Sequence, residues 1–304
     1  MTTKVKYIGF AIFILLVFSG RLLYAQKEKR NTKETLLSKV EVSEMVENSF
    51  TFSKNLRRVA FRLIKENKQL VVIDGINGNL YDHVGFPVFS PDSKQVAYAA
   101  NNGSSWFIIK NGKEVSIGNN AEIKGVQFSP DNKKFIYVLK SENKFCLVED
   151  NIKGKPYDDI DENSITFSID GGRVSFSALI NNKQCNVFDG KEGEHFGQVG
   201  FPVLSSNGNH FAYWAIEGNR SFVILDNQKS KAYEAVHSIV LSNDGSHCAY
   251  SISSHGKSIV VLDNIESEKY EFVNSLGFSP DGTRLAYIVH RTGRIKYYFS
   301  LTHY

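Results

Sequence analysis

The sequence predicts an all-β protein: a seven-bladed β-propeller of four-stranded antiparallel blades, closed by an N-terminal outer strand. Three observations predict it. One phrase returns seven times at a near-constant interval. Short strand signals recur in the same order inside each interval. The last interval lacks its outer strand, and an extra one precedes the first.

The phrase is close to Phe-Ser-Pro-Asp-Gly followed three residues later by Ala-Tyr. Its serines are Ser53, Ser90, Ser129, Ser168, Ser205, Ser242 and Ser279, spaced by 37, 39, 39, 37, 37 and 37 residues. The clearest copies are FSPDSKQVAY (89–98), FSPDNKKFIY (128–137) and FSPDGTRLAY (278–287); FSKNLRRVAF (52–61) is the most divergent and keeps the frame. The phrase reads as a tight turn: proline presets one backbone angle, aspartate bonds nearby amides, and glycine takes a left-handed conformation. Asp92, Asp131, Asp170, Asp244 and Asp281 are therefore expected to be structural, since the same turn is required in every unit.

Four strand signals fall in each unit. The first ends in Phe-Ser, the second begins at Val96 and its equivalents, and the third is an apolar run such as 70–73, 106–109 or 258–262. The fourth is expected at 80–84, 156–160, 232–236 and 269–273. These runs are rich in β-branched and aromatic residues and are bounded by Gly, Asn, Asp and Pro. The inner runs are apolar on both faces, which suits a sheet covered by a sheet on each side. Tyr81, Tyr157, Tyr233 and Tyr270 start the expected outer strands, where half-buried rings with hydroxyls in water would explain them. The final unit stops after its third strand, near 295–299. Residues 42–53 align with 157–168, so the segment near 42–46 is expected to complete the last blade and remove an exposed edge.

The N-terminus reads as a targeting segment. Lys4 and Lys6 precede an apolar run from Ile8 to Phe18, and a small-residue cleavage position follows at Ala25. That run is shorter than the ~20 residues a spanning helix needs. The expected organisation is a signal peptide at 1–25, a polar linker at 26–38 and the propeller at 39–304, in a periplasmic or secreted protein with no stable membrane span after cleavage. The formal net charge is +4, and removing 1–25, with Lys4, Lys6, Arg21 and no acid, leaves +1. A nearly neutral mature chain offers no nucleic-acid signal. Cys146, Cys185 and Cys248 form neither a disulfide framework nor a thiolate zinc motif and read as small core residues.

The repeated phrase resembles the WD40-like repeats of TolB-like propellers, over residues 43 to the end. The resemblance implies the propeller fold and an extracytoplasmic interaction role. The chain differs from TolB in having seven units where TolB has six, and in lacking room for the α/β domain that precedes TolB's propeller. The same phrase also occurs in propellers attached to prolyl-oligopeptidase hydrolases, but no Gly-x-Ser-x-Gly elbow is present here.

In a meander blade, the second-to-third hairpins share one face, the top, with the blade-to-blade crossings. The hairpins carry Lys65, Lys68, Lys140, Lys144, Lys183, Arg220, Lys257, Arg291 and Arg294 against Glu66, Glu142 and Glu217, with Trp106 beside them. A basic face of this kind would attract an acidic protein surface or an anionic glycan of the cell envelope; ordinary polar hairpin tips would look the same. The crossings contribute Asn48, Phe86, Asn163, Phe201, His237 and Asn274 to the channel mouth. Asn48, Asn163, His237 and Asn274, with Glu47 or Glu162, are the ligands a metal-dependent hydrolase or lactonase would use, though amides are poor ligands without carboxylates. The acidic run Asp158, Asp159, Asp161 and Glu162 lacks calcium-loop spacing and reads as solvated surface. The reading that follows is a non-catalytic binding scaffold with no cofactor, metal site or catalytic residue assigned.

Overall fold

The computed structural model describes residues 44–291 and 294–301. The expected signal peptide at 1–25 and linker at 26–38 lie outside the described residues. The described chain forms seven antiparallel sheets in sequence order. Blade one is Thr51–Phe52, Val59–Lys65, Lys68–Ile73 and Ile76–Asn77, and blade four is Asp159–Phe167, Val174–Ile180, Lys183–Phe188 and Lys191–Glu192. Blade seven has three strands among the described residues: Phe272–Phe278, Arg284–Arg291 and Arg294–Leu301.

Each turn from first to second strand is built on the phrase serine. Ser53, Ser90, Ser129, Ser168, Ser205 and Ser242 are at most 1% exposed. In all seven turns the serine hydroxyl donates to a side-chain oxygen two residues on, at 2.5 to 2.8 Å. The serine Oγ in turn accepts the backbone N–H five residues on, at 2.8 to 3.0 Å. The acceptor is Asn55 or Asn207 in two blades and aspartate in the rest. The phrase glycine is left-handed where present, as at Gly245 with φ 79°, and Leu56, Ser93 and Asn132 adopt the same region without being glycine. The serine bond and a backbone N–H hold the Asp244 and Asp281 carboxylates down at about 2.

A second polar device closes the third-to-fourth hairpins. Asp74, Asn111, Asp150, Asp189, Asp226 and Asp263 all have positive φ, and each is followed by a left-handed Gly or Asn. This is the two-residue turn that fits strand twist. Each side chain also accepts the first N–H of the second strand, at 2.9 to 3.1 Å.

The expected fourth strands are corrected. The outer strand begins earlier, at Ile76–Asn77 in blade one, and reaches Tyr81, which bridges Gln69 of its own blade; His83–Val84 already pairs with blade two. Tyr157, Tyr233 and Tyr270 bridge in the same way. These tyrosines are 2 to 7% exposed, so their hydroxyls are inside rather than in water. Tyr81 donates to Glu114, and Tyr233 and Tyr250 share a hydrogen bond of 2.9 Å. The closing segment is also revised. Met45 bridges Leu63, and the Val46 N–H donates to the Arg62 carbonyl, so both belong to the innermost strand of blade one. A pairing of residues before Glu44 with the last strand lies outside the described residues.

Successive sheets stack face to face. Ala60 and Val71 of blade one pack with Tyr81, Val84, Val96 and Tyr98, and Ile136, Val138 and Tyr157 of blade three pack with Ile160 and Phe176 of blade four. Val59, Phe61 and Leu63, on the face of blade one turned away from blade two, are buried as well. Cys185 and Cys248 are free thiols in these interfaces, and burial pushes them up to about 11 and about 12.

Replacing Ser242 with alanine strands the His247 N–H and removes one of the three donors to Asp244, and should cost about 1–3 kcal/mol in urea unfolding. An unchanged midpoint would show that the hydroxyl is dispensable. The serine and backbone hydrogen bonds hold Asp244 and Asp281 below the ordinary aspartate range in the folded chain, so they stabilise it above that range and lose this contribution as pH falls toward 2. Asp244→Asn with Asp281→Asn should flatten the fall of the urea midpoint between pH 4 and 2, and an acid limb as steep as wild type would contradict the assignment. Cys185 and Cys248 should resist a disulfide reagent at pH 8 until the chain unfolds; rapid labelling of native protein would exclude their burial.

Candidate functional site

Strand direction places the second-to-third hairpins and the crossings on one face. Asp82, in the crossing to blade two, donates its N–H to the Asn101 carbonyl and accepts from the Gly103 N–H at the hairpin tip. Lys65, Lys183, Arg220 and Lys257 are exposed there, and Arg291 and Arg294 pair across the hairpin of blade seven. The crossings bring acids to the same face. Lys68 lies 3.5 Å from Asp82, Lys140 lies 3.4 Å from Glu122, and Lys144 is hydrogen-bonded to Asp158. The Lys144 bond, with the Asn181 N–H, holds the Asp158 carboxyl below its usual range. Lys68, Lys140 and Lys144 are thus offset by neighbouring carboxylates that a hairpin-only count leaves out. Trp106 is partly buried against the core shared by blades two and three.

The channel-mouth residues do not form one site. Phe201 and His237 line a common cleft of about 610 Å³ where blades four, five and six meet. Asn48, Asn163 and Asn274 are exposed crossing residues outside it. The Asn163 N–H donates to Asp161, and Asn48 takes φ 54°, both of which are turn roles. Phe86 lies on the other side of the mouth with the Arg62 guanidinium 3.9 Å from its ring centroid. Among the described residues, no three His, Cys, Asp or Glu side chains gather as metal ligands.

Sequence makes the cleft rigid. Pro202 has no N–H to give, so the innermost strand of blade five is split into Gln198–Val199 and Val203–Leu204, and Phe201 projects between them at 56% exposure. Gly200 donates to the Trp214 carbonyl at 2.8 Å, and a Cβ on it would collide with the Trp214 indole. Behind them runs a buried polar chain. Ser164 accepts the Ser177 N–H at 2.7 Å, Ser177 donates to Asn186 at 2.6 Å, and Asn186 donates to the Gly200 carbonyl at 2.9 Å. Asp159 and Asp161 stand at the rim, with Asp159 3.5 Å from Lys124. On the opposite wall His237 is hydrogen-bonded to Ser253 at 2.6 Å. Sequence reasoning missed Ser177, Asn186 and Trp214. Asn186 carried a signal, an amide where equivalent positions hold Val71, Ile108, Leu147, Val223 and Val260; Ser177 and Trp214 occupy a position that varies from unit to unit and carried none.

A second cavity of about 740 Å³ opens on the opposite face, lined by Phe52, Phe89, Phe128 and Phe167 of the phrase. The innermost strands of blades one to four thus converge on a central channel.

The stacked four-stranded sheets form a β-propeller, and several solved propellers are similar to it. The β-propeller domain of Myceliophteria thermophila Cps50 (Swd1) is 14% identical, with a TM-score of 0.36, covering 85% of this chain and 96% of that one. The Dos1 propeller is 15% identical, with a TM-score of 0.43, over 83% of this chain and 76% of its own. TolB from Acinetobacter baumannii is 14% identical, with a TM-score of 0.35, over 81% and 74%. At these identities the likeness concerns fold alone. No family model matches the sequence, and no curated protein matches it.

Gly200→Ala should displace the Trp214 indole, costing roughly 1–3 kcal/mol. In a Trp106→Phe background, Trp214 is the only tryptophan of the chain, so its emission maximum reports the change. An unmoved spectrum with unchanged stability would show that the contact is not tight.

Proposed function

We propose that the protein is a non-catalytic binding propeller of the cell envelope, exported through residues 1–25, which holds a protein partner on its top face around the cleft between blades four, five and six. One observation carries this reading: Phe201 is held out from a rigid, hydrogen-bonded wall with more than half its surface exposed. Exposed aromatic anchors on pre-organised backbone are the usual energetic centres of protein interfaces. The mixed charge of the face favours a protein over an anionic glycan. Asp159 and Asp161 stand at the cleft, where a polyanion would be repelled, while Lys183, Arg220 and Lys257 on the surrounding hairpins can meet acidic groups.

Crosslinking in the source cells, followed by mass spectrometry, tests the reading. A partner recovered with the wild-type chain should be lost with Phe201→Ala and retained with Phe86→Ala, whose ring lies outside the cleft. Equal recovery with Phe201→Ala would reject the cleft as the binding centre. The mature protein should begin at Gln26, and an intact N-terminus in the isolated protein would reject export with cleavage after Ala25.

A further inference from the structure

Two units of the repeat carry the same irregularity and differ in what covers it. Gly85-Phe86-Pro87-Val88 in blade two and Gly200-Phe201-Pro202-Val203 in blade five occupy equivalent positions, four residues ahead of Ser90 and Ser205. In blade two the preceding blade supplies the cover. The Arg62 guanidinium lies 3.9 Å from the Phe86 ring centroid, and its Nη1 donates to the Val84 carbonyl at 3.3 Å. Nine residues after the phrase serine, where blade one has Arg62, blade four has Ser177. The backbone there is held alike: the N–H of Arg62 donates to Ser49 and that of Ser177 to Ser164. Among the described residues no guanidinium is seated on Phe201, and the space falls within the cleft that Ser177, Val199, Phe201 and Trp214 line. Val199 is the counterpart of Val84. Asp161 is the counterpart of Val46, so a carboxylate has been added where blade one has an apolar side chain.

We infer that the cleft takes an arginine side chain presented by the protein partner, its guanidinium seated on Phe201 as Arg62 is seated on Phe86, with Asp161 as counter-charge. The inference rests on the proposed top-face site and names the group it recognises. An aromatic face and a carboxylate together suit a planar cation, which can stack and hydrogen-bond at once, better than a compact ammonium. Lys124 engages Asp159 at 3.5 Å, which leaves Asp161 as the rim carboxylate away from that pair.

The test uses the full mature chain carrying Trp106→Phe, with Trp214 fluorescence as readout and three tripeptides as probes: Gly-Arg-Gly, Gly-Lys-Gly and Gly-citrulline-Gly. Citrulline keeps the shape and removes the charge. Gly-Arg-Gly should give a saturable change, with the citrulline and lysine peptides weaker by about fivefold or more. Phe201→Leu and Asp161→Asn should each weaken the arginine peptide by a similar factor, and Phe86→Leu should leave it unchanged. Ser177→Arg, which writes the residue of blade one into blade four, should block binding. If that variant does not fold, Phe201→Leu decides. No response to Gly-Arg-Gly, an equal response to the citrulline peptide, or full binding by Phe201→Leu would overturn the inference. If the peptide fails while crosslinked partner is still lost in Phe201→Ala, the arginine assignment alone falls. If neither depends on Phe201, the proposed site falls with it.

Discussion

The fold depends on a buried serine hydroxyl used twice. It donates to a side chain two residues ahead and accepts a backbone N–H five residues ahead, so a chain reversal of only a few residues leaves no orphaned polar group beside the apolar interface. A blade brings this turn next to its neighbours, where water cannot reach to satisfy it. That explains why the serine is buried in each of the first six copies while proline and glycine vary around it. Asn55 and Asn207 show which part is essential: a side-chain carbonyl in the right place suffices, and the negative charge does not define the turn. The aspartate in the other copies makes the same bond charge-assisted.

The aspartates that close the outer hairpins do the equivalent work on the same side of the molecule. Their side chains reach back to the first N–H of the second strand, tying two turns fifteen residues apart into one polar layer. In several blades a cation bonds this second carboxylate, as Arg58 does Asp74 and Arg173 does Asp189. The face opposite the cleft is therefore occupied with holding the blades together, which leaves the hairpins and crossings of the other face freer to differ between units.

The repeat made the sheet count and the identities of the first three strands legible, because a turn with fixed chemistry recurs at fixed spacing. The outer strand was misplaced for a physical reason. The conspicuous tyrosine closes one blade, and the chain enters the next blade two residues later, so a single apolar run serves two sheets. The outer strand itself is short and exposed, as at Ile76–Asn77, and so carries little apolar signal; its marker was the Asp-Gly or Asp-Asn turn before it. The charge of the top face was only half legible. The hairpin cations are visible in sequence, but the acids that answer them, such as Asp82 and Glu122, lie in crossings and approach only once the sheets form. Of the six channel-mouth residues, two share a cleft, because equivalent positions in a ring are separated by the rotation between blades.

Repetition also gives a way to see where this scaffold has been altered. The positions that make the blades are constrained by the same hydrogen bonds throughout, so a departure at a position that bonds nothing in the phrase has no consequence for the turn. The pair Arg62 and Ser177 is such a departure. Both residues donate their N–H to an equivalent serine, so the backbone cannot tell them apart, yet one fills the space over a projecting phenylalanine and the other opens it. The opening is accompanied by Asn186, a 2% exposed amide in a strand that is otherwise apolar at its centre, which fixes Ser177 on one side and the Gly200 carbonyl on the other. A buried amide with both ends satisfied contributes little to net stability compared with an apolar residue, but it holds its neighbours in one arrangement. The chain has thus gathered Asn186, Gly200 and Trp214, each held in a specific contact, around a projecting aromatic ring that no cation of the described residues covers. That is the pattern expected of a surface kept in shape for something outside the molecule.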